Sequence, residues 1–319
     1  SRGTVYESGQ NDSGVERTVL SLPYRDNFDY EDSFVEERGG TPLFTTDIEG
    51  AFEVTKSDDT GYVLTQRING DNRPYNWNPW GSGSDESSQT TNIPWTVMGD
   101  HRWANYTAGI DVKLDTKGNG YGDNFAVLGV REVVHSSGAP YRAKIYDSGK
   151  WELLKYNTVK KSGKIENFDA AIWHKLQLKA DVNVLTMYLD GEETGSFTDT
   201  SSPVMTGRIT LMSGFWNTSF DQLEVMPVEG KTAFASAKLD DTSSLITWNG
   251  NVTHNIGQGF AYYNRSFTSM PAGSSMEFEI PNGIGFDLFG NSGASSIEVT
   301  IDGKAAETAA TNACLLYTS

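Results

Sequence analysis

Residues 173–197 read WHKLQLKADVNVLTMYLDGEETGSF. Leu176, Leu178 and Ala180 alternate with Lys175, Gln177 and Lys179. Leu185, Met187 and Leu189 then alternate with Thr186 and Tyr188. A period of two puts each apolar set on one face of an extended strand. Asp190-Gly191 between the second strand and the Glu-rich stretch that follows is a tight hairpin signal, because both turn positions need positive φ. The stretch therefore reads as consecutive antiparallel strands, each with one buried face.

The same texture extends outward. In YTAGIDVKLD (106–115), Ile110, Val112 and Leu114 share a face. Short strand-like segments recur in AFEVTK, GYVLTQRI, NFAVLGVREV, YRAKIYDSGKWELLKYN, GRITLMSG and SFDQLEVMPV. No stretch holds a 3.6-residue period. Aromatics make up 12% of the chain and glycine occurs 33 times, a composition that suits a β protein with many turns. About ten to twelve evenly spaced strands between Tyr24 and Glu229 argue for a two-sheet sandwich.

Residues 1–23 hold two short β-like pieces, GTVY and ERTVLSLP, around a polar turn, and read as the end of an upstream β-sandwich plus a linker. After a junction near Gly230 the strand texture resumes in SLITWNGNVTH, GFAYYNRSFTSM, SSMEFEIPN, IGFDLFGNSG and SSIEVTIDGK. Residues 230–313 are expected to form a second, smaller and truncated β-sandwich. The terminal CLLYTS (314–319) matches the translation of a common library-adaptor sequence and is set aside from fold reasoning. It contains Cys314, the chain's one cysteine, so no disulfide is available. The chain starts at Ser1 with no signal-peptide pattern, and is expected to be an internal piece of a longer polypeptide.

With 25 Lys and Arg against 42 Asp and Glu, the formal charge is -17. Such a field repels phosphate backbones, which argues against nucleic acid as a partner. No apolar run reaches the roughly 18 residues of a membrane-spanning helix. Many acids lie in turns, but no pair declares itself as a glycosidase acid and nucleophile. His101, His135, His174 and His254 are scattered without metal-ligand spacing, and His174, at a strand start, reads as structural. There is no nucleophile elbow and no glycine-rich loop opening a helix.

Two patterns carry possible chemistry. YRDNFDYED (24–32) crowds hard oxygen ligands near the start of the sandwich, and Asp221 lies in SFDQLEV near its end. If the first and last strands pair, Asp221 meets the 26–29 segment, and carboxylates, an amide and backbone carbonyls are the mixture calcium takes. An acidic solvated turn is the competing reading. The second pattern is RPYNWNPWGSGS (73–84), where Tyr75, Trp77 and Trp80 fall among Pro, Asn and Gly, hence on a loop. Aromatic faces stack on the C–H patches of sugars while Arg73 and Asn76 suit hydroxyls. For Trp77 and Trp80 a sugar platform and a lid on the core both stay open. Trp95 and Trp103 read as core, as does at least one of Tyr262 and Tyr263 in the second unit, where Trp248 adds to a similar mixture.

Taken in order, LPYRDNFDYED, GAFEVTK, RPYNWNPW, WTVMGDHRWANYTAGIDVKL, GKWELLKY, WHKLQLKA and SFDQLEV resemble the C-terminal lectin-like domain of the galactosylceramidases, over roughly residues 1–229. These are glycoside hydrolases built from a TIM barrel, a β-sandwich and a laminin-G-like domain. The resemblance implies an all-β, laminin-G/concanavalin-like jelly roll over 24–229. It implies a structural calcium at Asn27, Asp29, a backbone carbonyl near Tyr62, and Asp221, with Asn27 standing where the family has Asp. It implies a loop that completes a galactose pocket, with Trp77 beside the sugar; NPWGSGSDESSQTTN, which carries Trp80, lengthens that loop here, and Arg73, Tyr75 and Trp80 are substrate-binding candidates on their own chemistry. The catalytic glutamates belong to the barrel and are not assigned in this chain. The implied partners are a β-galactoside or galactolipid and an upstream barrel in cis, and the implied location is secreted or periplasmic. The tail, ITWNGNVTHNIGQGFAYYNRSF onward, resembles galactose-binding-like modules appended to bacterial glycosidases. A free-standing carbohydrate-binding module and a purely structural sandwich are the alternatives.

Overall fold

The structure, a computed structural model of the chain, describes residues 6–10, 16–30, 40, 42, 44–57, 59–73, 93–133, 138–231, 233, 240–258, 262, 265–279, 285–290, 297–301, 303–305 and 314–318. Among these residues there is no α-helix, and the ladders of the two large sheets are antiparallel.

Strands β1 (Tyr6–Gln10) and β2 (Glu16–Leu20) form a two-stranded ribbon. The strand thus falls on YESGQ, where the sequence suggested a polar turn from Ser8 onward. The larger unit holds β3 (Tyr24–Asp26), β4 (Thr45–Glu49), β5 (Phe52–Ser57), β6 (Gly61–Gln66), β7 (Trp95–Met98), β8 (Tyr106–Lys113) and β9 (Tyr121–Glu132). It continues with β10 (Tyr141–Tyr146), β11 (Lys150–Lys155), β12 (Thr158–Lys164), β13 (His174–Asp181), β14 (Val184–Leu189), β15 (Glu192–Thr198), β16 (Arg208–Phe215) and β17 (Ser219–Pro227). That is fifteen strands, more than the ten to twelve expected, because several continuous-looking segments are hairpins. YRAKIYDSGKWELLKYN, for instance, turns at Asp147–Gly149 into β10 and β11.

The strands make a seven-stranded sheet in the order β12-β11-β10-β9-β16-β7-β4. The opposing eight-stranded sheet runs β15-β14-β13-β8-β17-β6-β5, with β3 added to β17. The opening stretch behaves as its pattern predicts. Leu176, Leu178, Ala180, Leu185 and Met187 are buried without exposure, and Asp190 and Gly191 both take positive φ in the β14–β15 hairpin. From the facing sheet, Leu128, Val130, Ile145, Leu153 and Leu211 are equally buried. Each such side chain contributes about 1.5–3 kcal/mol by leaving water. Trp103 is fully buried, as expected, between Tyr24 and Tyr106, and its indole N–H donates to the Leu20 carbonyl.

The seven-stranded sheet is also apolar on part of its outer face. Trp95, Val97, Phe125, Val127 and Met212 form a second cluster there, flanked by Ile48, Ile93 and Tyr146. Trp95 is thus buried as expected, but outside the main inter-sheet core.

Strand β17 organises the eight-stranded sheet. Its first residues pair with β6 (Phe220 with Leu64), and its later ones with β3 (Leu223 with Asp26). On its other side it pairs with β8, and an extra residue between Asp221 and Glu224 makes a bulge in which Gln222 has φ of 49°. First and last strands of the sandwich therefore meet, as the acidic pattern required.

In the second unit the described residues make four two-stranded ladders. They are β18 (Thr247–Asn249) with β21 (Ser275–Glu277), β19 (Thr253–Asn255) with β20 (Phe267–Ser269), β22 (Gly285–Phe289) with β25 (Cys314–Thr318), and β23 (Thr300–Ile301) with β24 (Lys304–Ala305). The terminal segment set aside above is thus placed as a strand against β22. Asp240 and Asp241 are held to β20 by the hydroxyls of Ser266 and Thr268, and Trp248 donates its indole N–H to the Asp241 carbonyl.

Candidate functional site

The ends of β6, β8 and β16 and the starts of β7, β9 and β17 lie at one end of the sandwich, as their registers require. The segment carrying Tyr75, Trp77 and Trp80 leaves and re-enters at this end. Those three residues lie outside the described set, and Arg73 is the member of the expected sugar group that the structure places.

Its surroundings are built from short-range hydrogen bonds. The fully buried Gln66 side chain donates to the carbonyls of Ile68 (2.6 Å) and Trp216 (2.9 Å), tying the exit of β6 to the β16–β17 turn. Asn69 caps the next turn: its Oδ1 accepts from Asp71 N (2.9 Å), and its Nδ2 donates to Asn217 Oδ1 (3.2 Å). Asn119 Nδ2 donates to Asp71 Oδ2 at 2.9 Å. Asn and Asp occur here because their side chains satisfy turn backbone that no strand pairs.

Above this frame the Arg73 guanidinium lies on the ring of Tyr121, 3.5 Å from its centroid. Tyr121 meets Phe215 edge-on. Trp216 covers Gly120 so closely that a Cβ there would fall 1.9 Å from the indole, and its N–H donates to Gly122 O. A guanidinium stacked on a ring keeps its in-plane N–H groups directed outward, the arrangement that binds hydroxyls and carboxylates. The half-buried edge thus combines aromatic surface, amides and one oriented cation. Sequence reasoning missed Tyr121, Trp216 and Asn217. The turn FWNTS has the aromatic-and-Asn composition that drew attention to 73–84 and carried the same signal.

The expected calcium ligands lie elsewhere, beside the β17 bulge. Phe28 and Tyr30 point inward while Asp29 is exposed. Asp26 is committed to structure: its Oδ1 accepts from Phe28 N and its Oδ2 from the Tyr30 hydroxyl. Asp29 reaches the β5–β6 hairpin, where Oδ1 lies 3.4 Å from Tyr62 N and against Gly61. Asn27 Oδ1 accepts from Asp29 N at 3.4 Å. Asp221, opposite Asp111 across the ladder, is buried. Burial pushes its carboxyl above the usual range, the Gln222 N–H opposes this, and the charges of Asp111 and Asp29 push it further up.

Asp29, the Tyr62 backbone and Asp221 therefore come together from positions far apart in the chain. Two carboxylates of like charge with the Asn27 side-chain amide beside Asp29 are oxygen donors of the hard type. Among the described residues no three His, Cys, Asp or Glu side chains group as a metal site.

His174 is structural, as read. It stacks on Phe168, and its ring nitrogens bond the Asp190 carboxylate (2.7 Å) and the Asp169 carbonyl (2.8 Å).

No protein-family model and no curated protein matches the sequence. Among solved structures, the chain is similar to the carbohydrate-binding module CBM66 from Bacillus subtilis, at 14% identity and TM-score 0.41, over 58% of this chain and 96% of that one. It is similar to a glycoside hydrolase family 16 endo-glucanase from Bacteroides ovatus, at 12% identity and TM-score 0.42, over 64% and 99%. A Bacillus subtilis protein of unknown function with a galectin-like fold aligns at 11% identity and TM-score 0.40, over 70% and 98%. At such identities and scores these likenesses leave function to be argued from this chain's own residues. No helix among the described residues is long and apolar enough to cross a membrane.

Proposed function

We propose that this chain is a carbohydrate-binding accessory region of a secreted, galactosylceramidase-like glycoside hydrolase. Its lectin-like sandwich completes the pocket for a terminal β-galactosyl group, and the acid and nucleophile are supplied by an upstream barrel in cis. The observation that carries this reading is the Arg73–Tyr121 stack at the root of the aromatic segment 73–84, within a frame of turn amides. Trp77 stacks on the sugar, Arg73, Tyr75 and Trp80 surround it, and the set Asn27, Asp29, Tyr62 carbonyl and Asp221 holds a structural calcium. A hard dication there would neutralise the Asp29–Asp221 repulsion and pin β3 and the β5–β6 hairpin to the bulge.

The test is Trp77→Ala in the full-length enzyme. The expected result is a fall in turnover of a β-galactoside of about tenfold or more, the cost of one lost stacking contact with sugar, at unchanged melting temperature. Wild-type turnover in that variant sinks the role. Titration of this chain alone with galactose and lactose separates the free-standing module, which binds by itself, from the accessory domain, which lacks most of its pocket.

A further inference from the structure

The chain carries a formal charge of -17, yet the segment from Tyr141 to Lys164 holds seven of its 25 Lys and Arg against two acids, Asp147 and Glu152. This segment is β10, β11 and β12, at one side of the seven-stranded sheet. The register sorts its residues by face. Arg142, Lys144 and Tyr146 on β10 lie level with Leu154, Glu152 and Lys150 on β11, and Lys150 in turn faces Lys164 on β12. All point to the outer side, opposite Tyr141 and Ile145, which are buried in the core.

The charges on this face are not internally balanced. Among the described residues two carboxylates meet its four cations: Glu152, used by Lys150 (2.7 Å) and the Tyr146 hydroxyl (3.0 Å), and Glu166, 3.8 Å from Lys164. Lys150 and Lys164 are cross-strand neighbours of like sign, an arrangement that costs stability by itself. Lys144 is half-buried, with its ammonium 3.8 Å from the Phe125 ring centroid and 4.3 Å from that of Tyr146. Among the described residues no carboxylate lies within ion-pair distance of it. A cation held on two aromatic faces, level with Glu152 but not paired with it, keeps N–H donors for an incoming anion. Phe125 is itself buried, and the half-buried Tyr146 ring offers the apolar surface that a sugar covers.

We infer that the outer face of β9–β11, around Lys144, Lys150, Tyr146 and Phe125, is a binding site for an anionic saccharide, a sugar bearing a sulfate or carboxylate group. Ring faces beside paired cations match the amphipathic shape of such a sugar, whereas the acidity of the rest of the chain opposes a long polyphosphate. This inference rests on residues of β9–β11 and does not depend on the role proposed for Trp77.

The experiment is affinity electrophoresis and calorimetry of the chain in gels and solutions of ι-carrageenan (sulfate), polygalacturonate (carboxylate), neutral galactan and a single-stranded DNA oligonucleotide, at low and high salt. Binding to at least one charged polysaccharide above neutral galactan, weakened by salt, is expected. Lys144→Gln should weaken it about tenfold, the scale of one charge-assisted contact. Lys150→Gln and Lys164→Gln, at side chains 51% and 58% exposed, keep the test open if Lys144→Gln does not fold. Lys231→Gln, which removes the same charge outside this face, should change nothing. Equal binding of charged and neutral polysaccharide, tighter binding to DNA, or charged-polysaccharide binding that survives loss of these lysines would each overturn the inference.

Discussion

Asp221 faces Asp111 across the β8–β17 ladder, carboxylate opposite carboxylate, with Asp29 adding a third charge from the β3 side. Lys175 lies 3.7 Å from Asp111 and partly offsets its charge, whereas Asp221 is buried and, among the described residues, accepts from the Gln222 amides. Its raised pKa sets the sign of its contribution. The folded state holds the proton more tightly than the unfolded chain, so stability falls as pH rises through the folded value. Asp221→Asn should therefore raise the melting temperature at neutral pH in chelator. Calcium should raise that of the wild-type chain by about 5 °C at a hundredfold excess over Kd and leave Asp221→Asn unmoved. A wild-type melt indifferent to both calcium and chelator would count against the site.

The Arg73–Tyr121 stack yields a prediction about the pocket edge. Tyr121→Ala removes the face that holds the guanidinium, and Tyr121→Phe keeps it. In the full-length enzyme, Tyr121→Ala and Arg73→Ala should raise KM for a β-galactoside several-fold, in line with about 0.5–2 kcal/mol for a cation–π contact. Tyr121→Phe should match wild type. An equal effect of Tyr121→Phe and Tyr121→Ala would mean that the hydroxyl, not the ring, matters.

Gly99 has φ of 105°, and a Cβ there would fall 2.4 Å from the Trp103 ring. Both the backbone conformation and the fully buried indole resist a methyl group. Gly99→Ala should lower the urea midpoint by an amount worth about 2–4 kcal/mol, overpacking plus left-handed strain. Unfolding followed by tryptophan fluorescence measures it, and an unshifted midpoint would show that Trp103 has room to move.

What the sequence revealed depended on whether a residue acts locally or through a neighbour. The strands around Leu176 and Leu185, and the Asp190-Gly191 turn, are written in alternation and turn chemistry, and they are placed as read. The pairing of β3 with β17 followed from general sandwich topology. Strand β12 was not recognised, because Thr158–Lys164 is an exposed edge whose polar run shows no alternation. The bulge at Gln222 left no local signature, since it arises from the mismatch between two strands. Tyr121 and Trp216 were invisible as partners of the loop because their role depends on which strand ends lie together. Nothing in NFAVLGVREV sets apart Arg131, which is buried and donates to the Ala104 and Val182 carbonyls.

Glu152 provides the last prediction, one of pH dependence. Burial alone would raise its pKa, but the bonds from Lys150 and Tyr146 and the charge of Lys144 outweigh this and hold it below the usual carboxylate range. The unfolded chain takes up its proton near pH 4.3, by the reference value for glutamate, while the folded chain does so only at lower pH. The stabilisation is therefore complete above the unfolded value and is lost as pH falls through the folded one. Glu152→Gln should cost about 1–3 kcal/mol at pH 7, the range for a hydrogen bond to a buried charged group, and progressively less as the solution is acidified toward the folded pKa. Urea denaturation of both proteins across that range measures the difference. A gap that stays constant with pH would show that the carboxylate's charge is not what stabilises this face.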